Sequence, residues 1–154
     1  MRFSFIAVSL GVLFGASAQA DDDVYPVVSD PLTASACGEC HMAFQPQMLP
    51  ARSWKAIMQG LDNHFGEDAT VDTMAVSKIE SYLVANAGDV GWDNEILRGV
   101  SSSSTPLRIS ELPKWIDEHD EELPANVWSR ADVGSKANCR ACHRAADKGY
   151  YDDD

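Results

Sequence analysis

Apolar residues recur at three- and four-residue steps in several stretches of this chain. In residues 52–66, RSWKAIMQGLDNHFG, they are Trp54, Ile57, Met58, Leu61 and Phe65. That spacing predicts an amphipathic helix, with His64 on its buried stripe. Residues 112–123, LPKWIDEHDEEL, predict a second short helix, with Pro113 suited to the first turn. There His119 shares a face with Trp115 and Ile116, while Asp117, Glu118 and Asp120 point elsewhere. Residues 71–87 predict a further helix, with Met74, Ile79, Tyr82 and Leu83 on its apolar side and Gly88 as its stop.

Between these elements the pattern breaks. Pro26 and Pro31 predict an irregular stretch over 21–36, and QPQMLP, residues 45–50, predicts a loop. Gly88, Gly91, Gly99 and the run Ser101 to Ser104 mark a linker. The expected organisation is an N-terminal half over 21–88, a linker over 89–106 and a C-terminal half over 107–154. Ser135 is the expected cap of a last helix, and Gly149 with the acidic tail is expected to be mobile. No stretch reads convincingly as a strand, so the expected fold is all-α.

Residues 1–20 carry a different pattern. Arg2 precedes a short apolar run, Phe3 to Phe14, and Ala18-Gln19-Ala20 is a small-x-small cleavage site. This is the layout of a cleaved signal peptide. The run is short for a span of about 20 residues, no cysteine lies near the cleavage site to carry a lipid, and no later segment could span a bilayer. The mature chain is expected in the periplasm.

Cleavage removes Arg2 and no acid, taking the formal charge from −12 to −13. Such a balance excludes nucleic acid as a partner, because phosphate binding needs basic residues. It suits a partner with a basic face, or solubility alone.

The four cysteines form two C-x-x-C pairs, and each pair runs directly into a histidine: Cys37-Gly38-Glu39-Cys40-His41 and Cys139-Arg140-Ala141-Cys142-His143. C-x-x-C-H is the attachment signature of c-type haem. Each thiol adds to one vinyl group, so the two sulfurs straddle one porphyrin edge, and the next residue sits beneath the iron as proximal ligand. A redox dithiol would want a β-α-β setting and leaves the repeated histidine unexplained. A zinc site would want the pairs about 15–20 residues apart, whereas residues 41–138 intervene here. Two vicinal disulfides ignore the histidines.

Each iron has a second axial position, and the chain has two further histidines, His64 and His119. A lone histidine on an apolar face is ordinarily a core residue. Two irons in need of a ligand, one such histidine in each half, reverse that reading and favour bis-histidine ligation. Loop-closure entropy separates local from crossed pairing by only about 1 kcal/mol. Local pairing, His41 with His64 and His119 with His143, is the simpler expectation. Among the methionines, Met58 and Met74 fit core stripes, Met42 follows the proximal histidine too closely, and Met48 is the rival ligand. Arg52, Trp54 and Trp115 are equally candidates for propionate or ring-edge contacts and ordinary helix residues.

The stretches C-x-x-C-H-M-A, L-P-A-R-S-W and G-L-x-x-H-F-G in the first half, and R-I-S-x-x-P-x-W, E-H and A-N-C-x-x-C-H-x-A in the second, resemble the bacterial dihaem cytochrome c (DHC) family over roughly residues 34–150. The resemblance implies a periplasmic electron carrier with two low-potential haem c groups. It implies His41 and His143 as proximal ligands and His64 and His119 as distal ones. It also implies a membrane cytochrome b as donor and, for some members, a monohaem cytochrome c as acceptor. Glu118, where a basic residue is expected, and the long serine-rich linker depart from the pattern and bear on the partner surface.

The expected function is single-electron transfer by a small dihaem c-type cytochrome, a carrier rather than an enzyme. Two alternatives stand beside it. One is the electron-input subunit of a periplasmic reductase resembling nitrate reductase. The other is a dihaem peroxidase, which would need an open iron.

Overall fold

The structure is a computed structural model that describes residues 24–91 and 94–151. The expected signal peptide and the last three aspartates lie outside the described residues. Four α-helices carry the fold: α1 (Pro31–Cys37), α2 (Ala51–Gln59), α3 (Thr73–Ala85) and α4 (Pro113–Glu122). Short 3-10 turns link them. Among the described residues there is no strand, only the isolated bridges Val24–Tyr150 and His64–Glu67.

The helix ends follow local chemistry. The stretch expected to be irregular contains α1, which Pro31 opens and Asp30 caps by accepting from the Thr33 amide and hydroxyl at 2.8 Å each. The Asp72 carboxylate caps α3 by accepting from the amides of Met74 and Ala75. Pro113 opens α4 as the sequence predicts.

Four further expectations are corrected. The helix expected over 52–66 stops at Gly60, so His64 lies beyond it in a separate turn. Met74 is 67% exposed, since it lies in the first turn of α3 on the face away from Ala75, Ile79 and Leu83. Ile116 is likewise exposed, at 38%. No α-helix follows Ser135: residues 139–141 form a single 3-10 turn, and Ser135 Oγ merely accepts from the Ala137 amide.

The core joins both halves. Trp54 and Met58 of α2 pack with Ala75, Ile79 and Leu83 of α3, and the same cluster takes in Tyr25, Leu49, Ile96, Leu112 and Trp115. At its centre lies QPQMLP, every residue of it buried. A buried loop must have its backbone polar groups met, and here neighbours from elsewhere in the chain meet three of its carbonyls, while Gln47 Oε1 is buried without a hydrogen-bond partner among the described residues. Trp54 Nε1 donates to the Pro46 carbonyl at 2.7 Å, Asn94 Nδ2 to that of Gln47 at 2.5 Å, and the Gly88 amide to that of Leu49 at 3.0 Å. Gly88 therefore does more than follow α3: a Cβ there would overlap the Gln47 carbonyl oxygen.

The serine-rich stretch is bonded to α2. Arg52 donates from Nε to the Ser104 carbonyl at 2.5 Å and from Nη2 to that of Ser101 at 2.9 Å, and it pairs with Asp89 at 3.4 Å. The expectation of a mobile stretch at Gly149 is also corrected. Gly149 is buried, and its carbonyl accepts from the Tyr25 amide at 2.8 Å. Tyr25 and Tyr151 meet edge to face at 5.7 Å.

Candidate haem sites

Cys37 is the last residue of α1, and Gly38 turns the chain so that Cys40 is exposed and His41 half-buried. His41 Nδ1 lies 2.7 Å from the Met42 carbonyl oxygen. A ring that donates there presents Nε2 to whatever faces it. The neighbouring imidazole is that of His64, with ring centroids 6.2 Å apart and planes 27° from parallel. Phe44 stacks on His41 at 4.8 Å, and Phe65 lies against His64 at 4.7 Å. Burial first, and then the His41 ring, lower the pKa of His64. Both effects favour the neutral imidazole that a metal requires.

His64 opens a tight turn. Its amide donates to the Glu67 carbonyl at 2.7 Å, and the Glu67 amide returns the bond at 3.2 Å. The two residues between have positive φ, 58° at Phe65 and 103° at Gly66. This is the geometry of a two-residue hairpin turn. Glycine adopts it freely, whereas phenylalanine in the left-handed region costs about 1–3 kcal/mol.

The second site is built differently. Residues 139–141 wind one 3-10 turn, and the His143 amide closes it on the Cys139 carbonyl at 2.8 Å. Facing His143 is His119 of α4, again with ring centroids 6.2 Å apart, here at 71°. His119 is held from within its own helix. Its Nδ1 lies 2.8 Å from the Trp115 carbonyl oxygen, and its ring stacks on the Trp115 indole at 4.0 Å and 12°. The Lys136 ammonium lies 5.0 Å from the Trp115 ring and 5.3 Å from Trp128. Behind His143, at 5.6 Å, is Tyr151.

The residues present fit a haem. An iron held between two imidazole nitrogens at about 2.0 Å each would put the ring centroids up to about 6.2 Å apart, allowing about 1.1 Å from nitrogen to ring centre. Both pairs show that separation. The structure thus brings His41 to His64 and His119 to His143, not the crossed pairs. Met48, the rival, is buried in the core with its sulfur 3.7 Å from the Tyr151 hydroxyl.

The surroundings of Cys37 and Cys139 do not suit a redox dithiol. Burial pushes the Cys37 thiol up and that of Cys139 up to about 11, the reverse of the lowered pKa that activates a redox C-x-x-C. Among the described residues no group of three or more His, Cys, Asp or Glu could hold a metal ion.

The sequence pattern put Phe65 on a helical stripe, whereas it is 46% exposed in a turn, and it gave no role to Arg108, Lys136, Gln45 or Tyr151. Phe-Gly carries only half of the usual hairpin-turn signal, which is Asn-Gly or Asp-Gly. The others act through long-range contacts that leave no periodic trace.

A helical chain of this size, with two haem attachment motifs and an imidazole pair beside each, is built as a c-type cytochrome around two haems. The comparisons agree. The profile of the dihaem cytochrome c family, DHC, matches residues 33–151. The diheme cytochrome c from Rhodobacter sphaeroides is 49% identical, with a TM-score of 0.76, over 81% of this chain and 98% of that one. The diheme cytochrome c from Shewanella baltica OS155 is 35% identical, with a TM-score of 0.65, over 79% of this chain and 86% of that one. A search of curated proteins returns no match. The chain belongs to the dihaem cytochrome c family. It carries two covalently bound haem c groups, and the family implies electron transfer. Among the described residues no helix is long and apolar enough to cross a membrane.

Proposed function

We propose that this chain is a periplasmic electron carrier whose two haems are each capped on both faces by histidine. Cys37 and Cys40 hold haem 1 by thioethers, with His41 proximal and His64 distal. Cys139 and Cys142 hold haem 2, with His143 proximal and His119 distal. The observation that carries this reading is the common 6.2 Å separation of the two imidazole pairs.

The haems supply one-electron chemistry, and the protein's part is to hold still around it. Carbonyls at Met42 and Trp115 face Nδ1 of His41 and His119, which fixes the rings and raises their basicity. With His41 and His64 on one iron and His119 and His143 on the other, neither would have a position open to a substrate. Two nitrogen donors favour the ferric state, so both potentials are low, whereas histidine–methionine ligation raises the potential.

The partners follow from the family and from charge. The reading takes a membrane cytochrome b as donor and a monohaem cytochrome c or a reductase as acceptor. The net charge of −12 favours a basic docking face on the partner and encounter rates that fall as salt rises.

The test is a reductive titration of the haem-loaded protein, followed by visible absorption and electron paramagnetic resonance. Two low-spin, low-potential haems that ignore carbon monoxide are expected. His64→Met should raise the potential of haem 1 alone. A high-spin signal or carbon monoxide adduct in the parent protein would overturn the ligand assignment.

A further inference from the structure

The two distal histidines are held by unequal means. His119 sits within α4, bonded and stacked inside its own helix through Trp115. His64 has no helix. It stands at the first corner of a two-residue turn, and the next residue is an aromatic at a φ of 58°. Phenylalanine enters that region reluctantly and stays only where its surroundings hold it.

The turn's backbone is bonded, the Phe65 amide donating to the Asn63 carbonyl at 2.9 Å and the Gly66 amide to Asn63 Oδ1 at 3.2 Å, so what remains to be held is the ring. Phe65 is 46% exposed, so core packing does not hold it. One ring contact is with His64, at 4.7 Å and tilted by 58°. The other comes from far along the chain: the Arg108 guanidinium lies 4.1 Å from the Phe65 ring centroid. An arginine at this distance is drawn to the ring's negative face. Arg108 is in turn braced by Glu111, which accepts from its Nη1 at 3.0 Å.

We infer that Arg108 and Phe65 form a latch by which the second half of the chain keeps His64 facing His41. Arg108 is a positioning residue: it holds Phe65, and Phe65 holds His64. The latch closes the distal side of haem 1 to small neutral diatomic ligands, and haem 2 has no such dependence because His119 is fixed within α4. The inference rests on His64 being the distal ligand of haem 1.

The experiment uses the full haem-loaded protein, with carbon monoxide as the probe. Arg108→Gln removes the cation and keeps an amide of similar reach. Arg108→Lys keeps the charge. Phe65→Asn suits the left-handed turn better than phenylalanine and removes the ring. If Phe65 served the turn alone, that change would leave haem 1 undisturbed. The expected result is a carbon monoxide adduct on haem 1, absent from the parent protein, in both Arg108→Gln and Phe65→Asn. The paramagnetic resonance signal of haem 1 shifts in both, that of haem 2 stays, and Arg108→Lys largely restores the parent behaviour.

Unchanged spectra and no adduct in either variant would overturn the latch, and if His64→Met still raised the haem 1 potential, the ligand assignment would survive it. An effect in Phe65→Asn alone would overturn the role of Arg108. A His64→Met protein with an unaltered haem 1 would overturn the ligand assignment, and the latch with it.

Discussion

Tyr151 donates its hydroxyl hydrogen to Gln45 Oε1 at 2.6 Å and so fastens the far end of the chain to its centre. Gln45 is fully buried. Its Nε2 donates to the Ala146 carbonyl at 2.8 Å, so residues 146 and 151 meet both ends of its amide. Gln45 directly follows Phe44, which stacks on His41, and Tyr151 lies against His143. The two candidate proximal histidines are thereby tied to one bonded junction.

Tyr151→Phe tests that junction. It keeps the ring and leaves Gln45 Oε1 buried without its donor, a penalty of about 1–3 kcal/mol. Denaturant unfolding of the haem-loaded variant should show a loss of that size with an unchanged slope. A loss near zero would mean that water replaces the hydroxyl. Burial raises the pKa of the Tyr151 hydroxyl, so it stays a donor through mildly alkaline solution.

Gly149 gives a second test of the same region. Its φ is 86°, and a Cβ would overlap the Tyr25 carbonyl oxygen. Gly134 also has positive φ, 74°, but a Cβ there would meet nothing within 4 Å. Both alanine substitutions pay for left-handed backbone, about 1–3 kcal/mol. Only Gly149→Ala also pushes the last residues off Tyr25. Its thermal midpoint should therefore fall well below that of Gly134→Ala, and equal midpoints would deny the close approach.

The Asp30 cap sets a pH dependence. The Thr33 amide, and then its hydroxyl, lower the pKa of Asp30 below its ordinary value. A carboxylate with a depressed folded pKa stabilises fully above its unfolded pKa, and loses that contribution as pH falls through the folded one. Asp30→Ala should be less stable than the parent at neutral pH, and the gap should narrow below about pH 4. A gap independent of pH would show that the cap's charge is idle.

The attachment motifs were legible because covalent chemistry dictates them. Two thioethers on one porphyrin edge require C-x-x-C, and that requirement survives whatever the rest of the chain does. The all-helical class was legible too, and α4 appeared nearly to the residue because Pro113 and the Trp115–His119 spacing are local. The stripe that carried His64 onto a helix was misleading. Leu61 and Phe65 continue the helical period by coincidence, whereas Gly60 ends the helix and Gly66 permits the turn. The packing of residues 145–151 was illegible for a different reason. It joins Tyr25, Gln45 and Tyr151 by single contacts across most of the chain, and two tyrosines before an acidic run carry no periodic signal.

Lys136 supplies a prediction about haem 2. Its ammonium lies 5.0 Å from the Trp115 ring, which stacks at 4.0 Å on His119, the proposed distal ligand. A positive charge near an iron favours the ferrous state, because reduction removes positive charge from the site. Lys136→Gln should therefore lower the potential of haem 2. At about 10 Å, with an effective dielectric constant between about 20 and 80, the change is about 20–70 mV for one electron. It should shrink as salt rises, because the lysine faces solvent. Haem 1, served by the other half, should keep its potential, so spectroelectrochemical titration carries its own control. Equal shifts at both haems would point to a general field effect, and no shift at either would leave the lysine with only its contacts to Trp115 and Trp128.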